Sequence, residues 1–253
     1  MPVTLIAIPN IPRLQPGDDL AAALIVACEA AGLALADQDV LVVAQKIVSK
    51  TEGRYVDLAT VEPSERAHKL AVEVDKDPRL VEVILRESRD VVRHRPGVLI
   101  VEHRLGFIMA NAGVDRSNID PAAGEEPMLL LPENPDASAA ALRDRLAAHF
   151  RCSLAVIVSD SWGRAWRRGT VGVALGAAGL PALLDMRGQP DLYGRALRVT
   201  QTGFADEIAA AASLVMGESD EAQPAVLVRG LSWSSPETPA ASLVRPAAED
   251  LFR

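Results

Sequence analysis

The chain has 253 residues, of which 49% are hydrophobic and 24% charged, the balance of an ordinary soluble globular protein. Its formal net charge of −8 argues against a general nucleic-acid binder, because that role needs a broad basic face. The two cysteines, Cys28 and Cys152, lack CxxC spacing, so we expect free, reduced thiols and a cytoplasmic protein.

The N-terminal half predicts alternating strands and helices. Residues 1–12 lack the features of a signal peptide, and residues 3–8 predict a strand. A helix is predicted over 17–32, with Asp18 or Asp19 as its N-cap and Gly32 as its stop. The following elements are predicted as a buried strand at 39–44, helices at 63–74 (with Ser64 as a cap) and 78–93, and two strands in 97–113 around a turn at Leu105-Gly106.

The C-terminal half continues this irregular alternation. Its predicted elements are a loop at 119–127, a strand at 128–132, a helix at 136–150, a strand at 153–158, a small-residue segment at 171–180 suited to close backbone packing, a strand at 195–202, a helix at 205–217, a strand at 225–230 and an irregular tail from Leu231 to 253. Hairpins mixed among helices favour an α+β fold of mixed sheets over a doubly wound parallel sheet. We treat 1–253 as a single unit, and no apolar run reaches the roughly 18–20 residues that span a bilayer.

The familiar catalytic motifs are absent from this sequence. There is no GxxxxGK[ST], GxSxG or HExxH, and the glycines at 169, 172, 176 and 179 do not match GxGxxG. His68, His94, His103 and His149 lie apart from the acidic clusters, so we expect them to have structural roles. Any chemistry must therefore depend on carboxylates, hydroxyls and basic groups.

Three acids each follow a predicted element. Asp115 follows the second strand of the 97–113 pair, Asp160 follows the strand 153–158, and Glu218 follows the helix 205–217. Carboxylates at the ends of buried elements can converge on a hard cation such as Mg²⁺, although each alone could be a turn former or a cap. Asp206 and Glu207 stand at a helix start and are interpreted as caps.

Basic residues form two further sets. Lys46 and Lys50 follow the strand 39–44, where they are either point charges for phosphate or solvated loop lysines. The second set is Arg164, Arg167 and Arg168, accompanied by Trp162 and Trp166. Arginine matches carboxylate and phosphate geometry, whereas the tryptophans are interpreted as core residues. The residues alone thus indicate a metal-assisted, phosphate-handling site without a P-loop.

Seven stretches occur in a characteristic order. They are GDDL (17–20), DVLVVAQKIVSKTEGR (39–54), NAGVDRSN (111–118), VSDSWGRAWRRGTVGVALGAAG (158–179), DLYGRALRVT (191–200), ADEIAAAASLVMGE (205–218) and PAVLVRG (224–230). From about residue 3 to 230 the chain thereby resembles the coenzyme F420-0:L-glutamate ligase family, the gamma-glutamyl ligases of deazaflavin biosynthesis.

The resemblance implies a GTP-dependent ligase. In that family L-glutamate is joined by an amide bond to the carboxylate of the coenzyme's phospholactyl side chain, and a second, gamma-linked glutamate is an option. It also implies a two-lobed α+β fold, an intertwined homodimer and two divalent ions (Mg²⁺ or Mn²⁺), with a monovalent cation as an option. Partners are then small molecules, with no nucleic acid and no membrane, and no fused flavin-type domain is expected.

The family's functional residues transfer to positions of this chain. The implied metal ligands are Asp115, Asp160, Ser161 and Glu218, of which the three carboxylates also act in catalysis through the metal. The implied nucleotide contacts are Ile11, Pro12, Arg13, Leu14, Gln45, Lys46, Lys50, Asn118, Met216, Gly217, Glu218, Ser219, Asp220, Glu221, Ala222 and Gln223. Arg164, Arg167 and Arg168 are candidates for a substrate anion on chemical grounds alone.

The chain departs from the family pattern at three points. Ser161 stands where threonine is common, Gln45-Lys46 replaces a Ser/Thr-type pair, and residues 216–224 are less glycine-rich than in archaeal members. Competing interpretations are an ATP- or GTP-dependent ligase acting on another acid, a non-catalytic nucleotide- or deazaflavin-binding protein, and a nucleic-acid module using 162–168.

Overall fold

The computed structural model describes residues 2–120 and 123–251. Its strands are β1 (Thr4–Ala7), β2 (Val40–Ala44), β3 (Tyr55–Asp57), β4 (Ser88–Arg95), β5 (Val98–His103), β6 (Ile108–Ala110), β7 (Pro127–Leu129), β8 (Ala155–Gly163), β9 (Thr170–Ala178), β10 (Leu184–Asp185), β11 (Gln201–Thr202) and β12 (Ala225–Arg229). Its α-helices are α1 (Leu20–Ala30), α2 (Gln45–Thr51), α3 (Glu65–Val74), α4 (Pro78–Arg86), α5 (Pro135–Phe150) and α6 (Phe204–Met216). The predicted α+β class is confirmed.

Helix starts follow the capping chemistry expected from the sequence. Asp19, rather than Asp18, caps α1 by accepting a hydrogen bond from the Ala22 N–H, and Ser64 caps α3 in the same way. Asp206 does not cap its own helix, which corrects the prediction. Its carboxylate instead accepts a hydrogen bond from the Ala174 N–H of strand β9, 2.9 Å away, and so joins α6 to the sheet.

The central sheet has five strands in the order β1-β12-β2-β8-β9. Within this sheet β2 and β8 pair in parallel, whereas the other neighbours are antiparallel. Helices α1 and α5 cover one face and α6 covers the other, so side chains of β8 alternate between two apolar cores. Val156 and Val158 face the α1 and α5 side, while Ala155 and Ile157 face α6.

Strand β8 is longer than the sequence predicts. It continues past Val158 to Gly163, because β9 returns along it as an antiparallel partner with one bulge beside Val158. The small residues of β9 allow close packing, as expected. A Cβ on Gly172 would collide with the backbone of α6, and one on Gly176 would collide with the backbone at the start of α5.

A second group of elements lies between β3 and β7 in the sequence. Helices α3 and α4 pack on the antiparallel sheet β4-β5-β6 around their own apolar core. The prediction of one helix over 78–93 is wrong, since α4 ends at Arg86 and residues 88–95 form strand β4. The reason is the tight Pro96-Gly97 turn, with φ of +80° at Gly97, which pairs Arg95 with Val98 and draws the preceding residues into a hairpin.

The strand predicted at 195–202 is also wrong. Only β11, at its end, pairs with β10, and residues 186–200 form a long irregular hairpin held by backbone hydrogen bonds such as Met186 N–H to Thr200 O. Leu192 and Tyr193 at its tip are exposed, with 100% and 85% of their surface accessible. We call residues 184–202 the exposed arm.

The segment after Leu231 is irregular, as predicted, and it is packed against the rest of the fold. Trp233 packs edge-on against Phe204, with ring centroids 6.1 Å apart, and Ala240 is fully buried. The Asp136 carboxylate accepts hydrogen bonds from the N–H groups of Ala240 and Ala241, which tie this segment to the start of α5. Among the residues that the structure describes, no helix is long and apolar enough to cross a membrane.

Candidate active site

Both predicted lysines lie on a helix rather than in a loop. Helix α2 begins at Gln45, directly after β2 ends at Ala44, so Lys46 and Lys50 stand one turn apart on the same face. Gln45 is buried and its amide oxygen accepts a hydrogen bond from the Ser49 hydroxyl, 2.9 Å away. This hydrogen bond anchors the first turn of α2.

Asp115 follows a turn of unusual backbone conformation. Asn111, Ala112 and Gly113 have φ of +53°, +52° and +67°, and left-handed values at two non-glycine residues in succession are strained. Backbone pairing of Asp115 with Leu129 then fixes the carboxylate beside α2. Its Oδ2 lies 2.6 Å from Lys46 Nζ, and its Oδ1 accepts from the Ser117 N–H at 2.8 Å.

Asp160 and Ser161 stand within β8, where the strand has passed the end of its parallel partner β2 at Ala44. The sequence prediction placed them beyond the strand end, and the continuation of β8 to Gly163 corrects this. The Ser161 hydroxyl donates to the Glu218 carboxylate after α6, at 2.7 Å.

The four charged groups of this region influence each other electrostatically. The pKa of Asp160 is raised to about 6, chiefly by burial and also by the negative charges of Asp115 and Glu218. The Ser161 N–H and the Lys46 ammonium oppose this rise. Burial also opposes ionisation of Asp115, but hydrogen bonds from Lys46 and Ser117 outweigh it and lower that pKa.

The implied nucleotide segments meet next to this charged group. Lys50 Nζ donates to the Asn118 carbonyl at 2.7 Å, and the Asn118 side-chain amide donates to the Ser219 carbonyl at 3.2 Å. Burial lowers the pKa of Lys50, and the positive charges of Lys46 and Arg13 lower it further. Helix α2, the 115–118 loop, the segment after α6 and the connection containing Arg13 thus share one electrostatic environment.

The remaining implied nucleotide positions lie on these same segments. Residues 11–14 connect β1 to α1, and the side chain of Leu14 packs in the core. Met216 ends α6, and the positive φ of Gly217 (+72°) turns the chain so that Glu221 accepts from the Ser219 N–H. Residues 222–223 lead to Pro224, whose carbonyl accepts from the Ala44 N–H beside the start of α2.

The structure separates the three predicted arginines. Arg164, just after β8, is half-buried, whereas Arg167 and Arg168 are exposed in the β8–β9 loop. Trp162 packs against Phe107 with ring centroids 5.6 Å apart, as expected of a core residue. Trp166 has 87% of its surface exposed, so its assignment to the core is wrong.

Sequence reasoning missed the part played by Ser117. Its hydroxyl contacts both the Lys46 ammonium and the Asp115 carboxylate, so it completes the charged group. The spacing D-x-S in NAGVDRSN is the signal that could have found it. An Asp side chain commonly accepts a hydrogen bond from the backbone N–H two residues later, as Asp115 does from Ser117.

A groove of about 900 Å³ lies elsewhere, between α3 and β4. Two ion pairs lie along it, Lys69 with Glu65 at 2.6 Å and His94 with Glu73 at 3.5 Å. We therefore place the candidate active site at the end of β2 and β8, where dissimilar charged groups from four segments meet.

The fold and this site define an α+β protein with a charged small-molecule site at one end of its central sheet. Residues 9–230 match the family model described as F420-0:Gamma-glutamyl ligase. The chain belongs to this family, and on that ground it is a ligase.

Curated relatives agree over nearly the full length. A protein of Methanothermobacter thermautotrophicus is 43% identical over 255 residues, covering 100% of both chains. One from Methanopyrus kandleri is 45% identical over 246 residues, covering 95% of this chain and 94% of its own. One from Haloarcula marismortui is 42% identical over 253 residues, covering 98% and 91%. Each carries the name Coenzyme F420:L-glutamate ligase.

Proposed function

We propose that this protein is a GTP-dependent ligase that joins L-glutamate to the phospholactyl carboxylate of coenzyme F420-0, with a second gamma-linked glutamate as an extension. The single observation that carries the proposal is the meeting of Lys46, Asp115, Asp160 and Glu218 at one end of the sheet. The names of the relatives supply the substrate class.

The chemistry of the donor set fits a divalent cation such as Mg²⁺ or Mn²⁺. Asp115, Asp160, Ser161 and Glu218 offer hard oxygen ligands. Burial and the negative charges of Asp115 and Glu218 raise the pKa of Asp160, and a bound cation would offset the repulsion among these carboxylates. Among residues 2–120 and 123–251 no three acids, histidines or cysteines are gathered as closely as a metal requires. Binding of a cation would therefore require Asp115 to give up its ion pair with Lys46, and Glu218 to give up its hydrogen bond from the Ser161 hydroxyl.

The uphill step of amide formation is activation of the acceptor carboxylate. In the proposed reaction a carboxylate oxygen attacks the γ-phosphorus of GTP, and GDP leaves. The glutamate nitrogen then attacks the acyl carbon of the acyl phosphate and loses a proton. The bond between this carbon and the phosphate oxygen breaks, and phosphate leaves with its electron pair. Both steps concentrate negative charge, which a bound cation would offset when present.

The side chains of this protein contribute position and charge. Lys46 and Lys50 would bind the triphosphate as point charges, since each ammonium is close to carbonyl or carboxylate oxygens that a phosphate can replace. The segment after Gly217 contacts Asn118 through the Ser219 carbonyl and so lies beside these lysines. No group in this arrangement needs to form a covalent bond to substrate.

Product mass tests the reaction directly. Incubation with the deazaflavin acceptor, GTP and glutamate should give a mass gain of one or more glutamyl units together with GDP. Asp160→Asn should lower turnover by ~10²–10³-fold, as loss of one electrostatic stabiliser does. The matched control Asp144→Asn removes an exposed carboxylate paired with Arg143 and should leave turnover unchanged.

Other outcomes identify the alternatives. A glutamyl product with a different acid would indicate a related ligase, and nucleotide binding without GDP release would indicate a non-catalytic binding protein. Asp160→Asn with full turnover and unaltered metal dependence would contradict the assigned role.

We also propose the intertwined homodimer that the sequence resemblance implies, in the cytoplasm. The exposed arm supports it, because Leu192 and Tyr193 at its tip and Val199 on its return are apolar and accessible. Light scattering should give twice the mass of the chain. Leu192→Asp with Tyr193→Ser should shift the protein to monomer if the arm is covered by the second copy.

A further inference from the structure

Arg164 has no role in the reaction proposed above, but one atom of its side chain lacks the partner that its burial requires. The Nη1 atom of its guanidinium is buried and finds no hydrogen-bond acceptor among the described residues. Neither does any described carboxylate form an ion pair with this side chain. Arg167 and Arg168, three and four residues further on, are exposed to water.

A guanidinium N–H that is buried without an acceptor is energetically unfavourable, even on a half-buried side chain. The group stays charged at any pH a protein experiences, and its N–H donors lose water on burial. Removing a charged donor from water without a replacement acceptor costs several kcal/mol, so native structures rarely leave one unpaired. An oxyanion from outside the chain is the natural acceptor, because carboxylates and phosphates match the planar fork of arginine.

The position of Arg164 is suited to such an anion. It stands three residues after Ser161, and a chain of that length extends at most about 11 Å. Between them Trp162 is fixed against Phe107, so this end of β8 is anchored rather than free. An anionic group of a substrate whose reacting carboxylate lies near Asp160 could therefore reach Arg164.

We infer that Arg164, and not Arg167 or Arg168, binds an oxyanion of the acidic substrates. That oxyanion is either a carboxylate of the incoming amino acid or the phosphodiester of the acceptor. The inference rests on the proposed function for the identity of these substrates, but the binding chemistry is that of any carboxylate or phosphate.

The experiment compares four variants of the full chain. Arg164→Gln removes the charge, Arg164→Lys keeps the charge without the fork, and Arg167→Gln and Arg168→Gln are matched controls from the same loop. KM is measured separately for glutamate and for the acceptor at saturating GTP. Thermal shifts with L-glutamate, inorganic phosphate or GTP alone report binding without turnover.

Arg164→Gln should raise the KM of one acidic substrate about 10- to 100-fold, the loss expected for one charge-assisted hydrogen bond. Arg164→Lys should recover part of this loss. The KM values of both control variants should stay within about twofold of the parent, and the thermal shift with GTP should be unchanged. The substrate whose KM rises identifies the source: glutamate for the carboxylate, the acceptor for the phosphodiester.

The opposite results overturn the inference. Unchanged KM values for both substrates in Arg164→Lys and Arg164→Gln would show a structural role only, as would equal effects at Arg167. If the parent protein makes no glutamyl product, yet the thermal shift with L-glutamate or phosphate depends on Arg164, the ligase proposal fails and the anion site stands. If that shift persists in Arg164→Gln, the anion site is wrong.

Discussion

Glu87 holds two arginines from different parts of the chain in one ion network, and its removal has a calculable effect on stability. Its carboxylate lies 2.9 Å from Arg54, just after α2, and 3.1 Å from Arg104, in the β5–β6 turn. Only 12% of the Glu87 side chain is accessible to solvent. Because Arg54 follows the helix that carries Lys46, this network also supports the candidate site.

The pKa of Glu87 sets the magnitude. Burial opposes its ionisation, but the neighbouring His103, Arg104 and Arg54 outweigh burial and lower the pKa from 4.5 to about 2. The buried Nε2 of His103 lies 3.6 Å away, too long for a hydrogen bond, so we assign the effect mainly to the arginines. At 1.36 kcal/mol per pH unit, a shift of this size corresponds to about 3 kcal/mol of folding free energy at neutral pH.

Glu87→Gln should therefore lower the free energy of unfolding by about 3 kcal/mol at pH 7, measured by urea denaturation. A carboxylate with a lowered pKa stabilises the folded state above its unfolded pKa, and this contribution is lost as pH falls from 4.5 towards 2. The difference between parent and variant should thus shrink over that window. Glu65→Gln, which removes an exposed pair with Lys69, is the control and should change stability by less than about 1 kcal/mol. A constant difference from pH 7 to pH 3 would refute the reasoning.

Three further substitutions test other contacts. Lys46→Met should weaken GTP binding ~10-fold or more by calorimetry, since it removes a phosphate-binding charge, and equal affinity would contradict that role. Gly217→Ala should lower turnover in a steady-state assay, because φ of +72° at this position strains any residue with a Cβ and the turn precedes Glu218. Asp136→Ala should lower the free energy of unfolding by ~2–4 kcal/mol, measured by urea denaturation, because three backbone N–H groups lose their acceptor.

Much of the fold could be predicted because hydrophobic period and capping residues agree locally. The buried strand at 39–44 and the caps Asp19 and Ser64 are examples. Helix α2 was missed since it follows β2 without a capping side chain or a breaker residue, so no start signal exists. The α4–β4 boundary was missed because Val91 continues an apolar pattern that period alone cannot assign to helix or strand.

The candidate site was partly predictable for a different reason. Asp115 and Glu218 follow buried elements and Asp160 lies where β8 passes the end of β2, so the pairing of β2 with β8 supplies a convergence that a sequence can only suggest. The difference between Arg164 and Arg167 was not predictable, because burial of a guanidinium depends on packing from distant segments. The contact of Ser161 with Glu218 depends likewise on β8 continuing beyond the predicted strand end.

The strand order of the central sheet has a consequence for synthesis of the chain. Strand β12, at residues 225–229, lies between β1 and β2. The first strand to leave the ribosome, β1, therefore cannot pair until this last strand has been synthesised. Until β12 arrives, β1 has no partner and one edge of β2 is open, and such edges are templates for unwanted pairing. A chain terminated before residue 225 would thus be inactive and prone to aggregation, although every proposed metal ligand had already been translated.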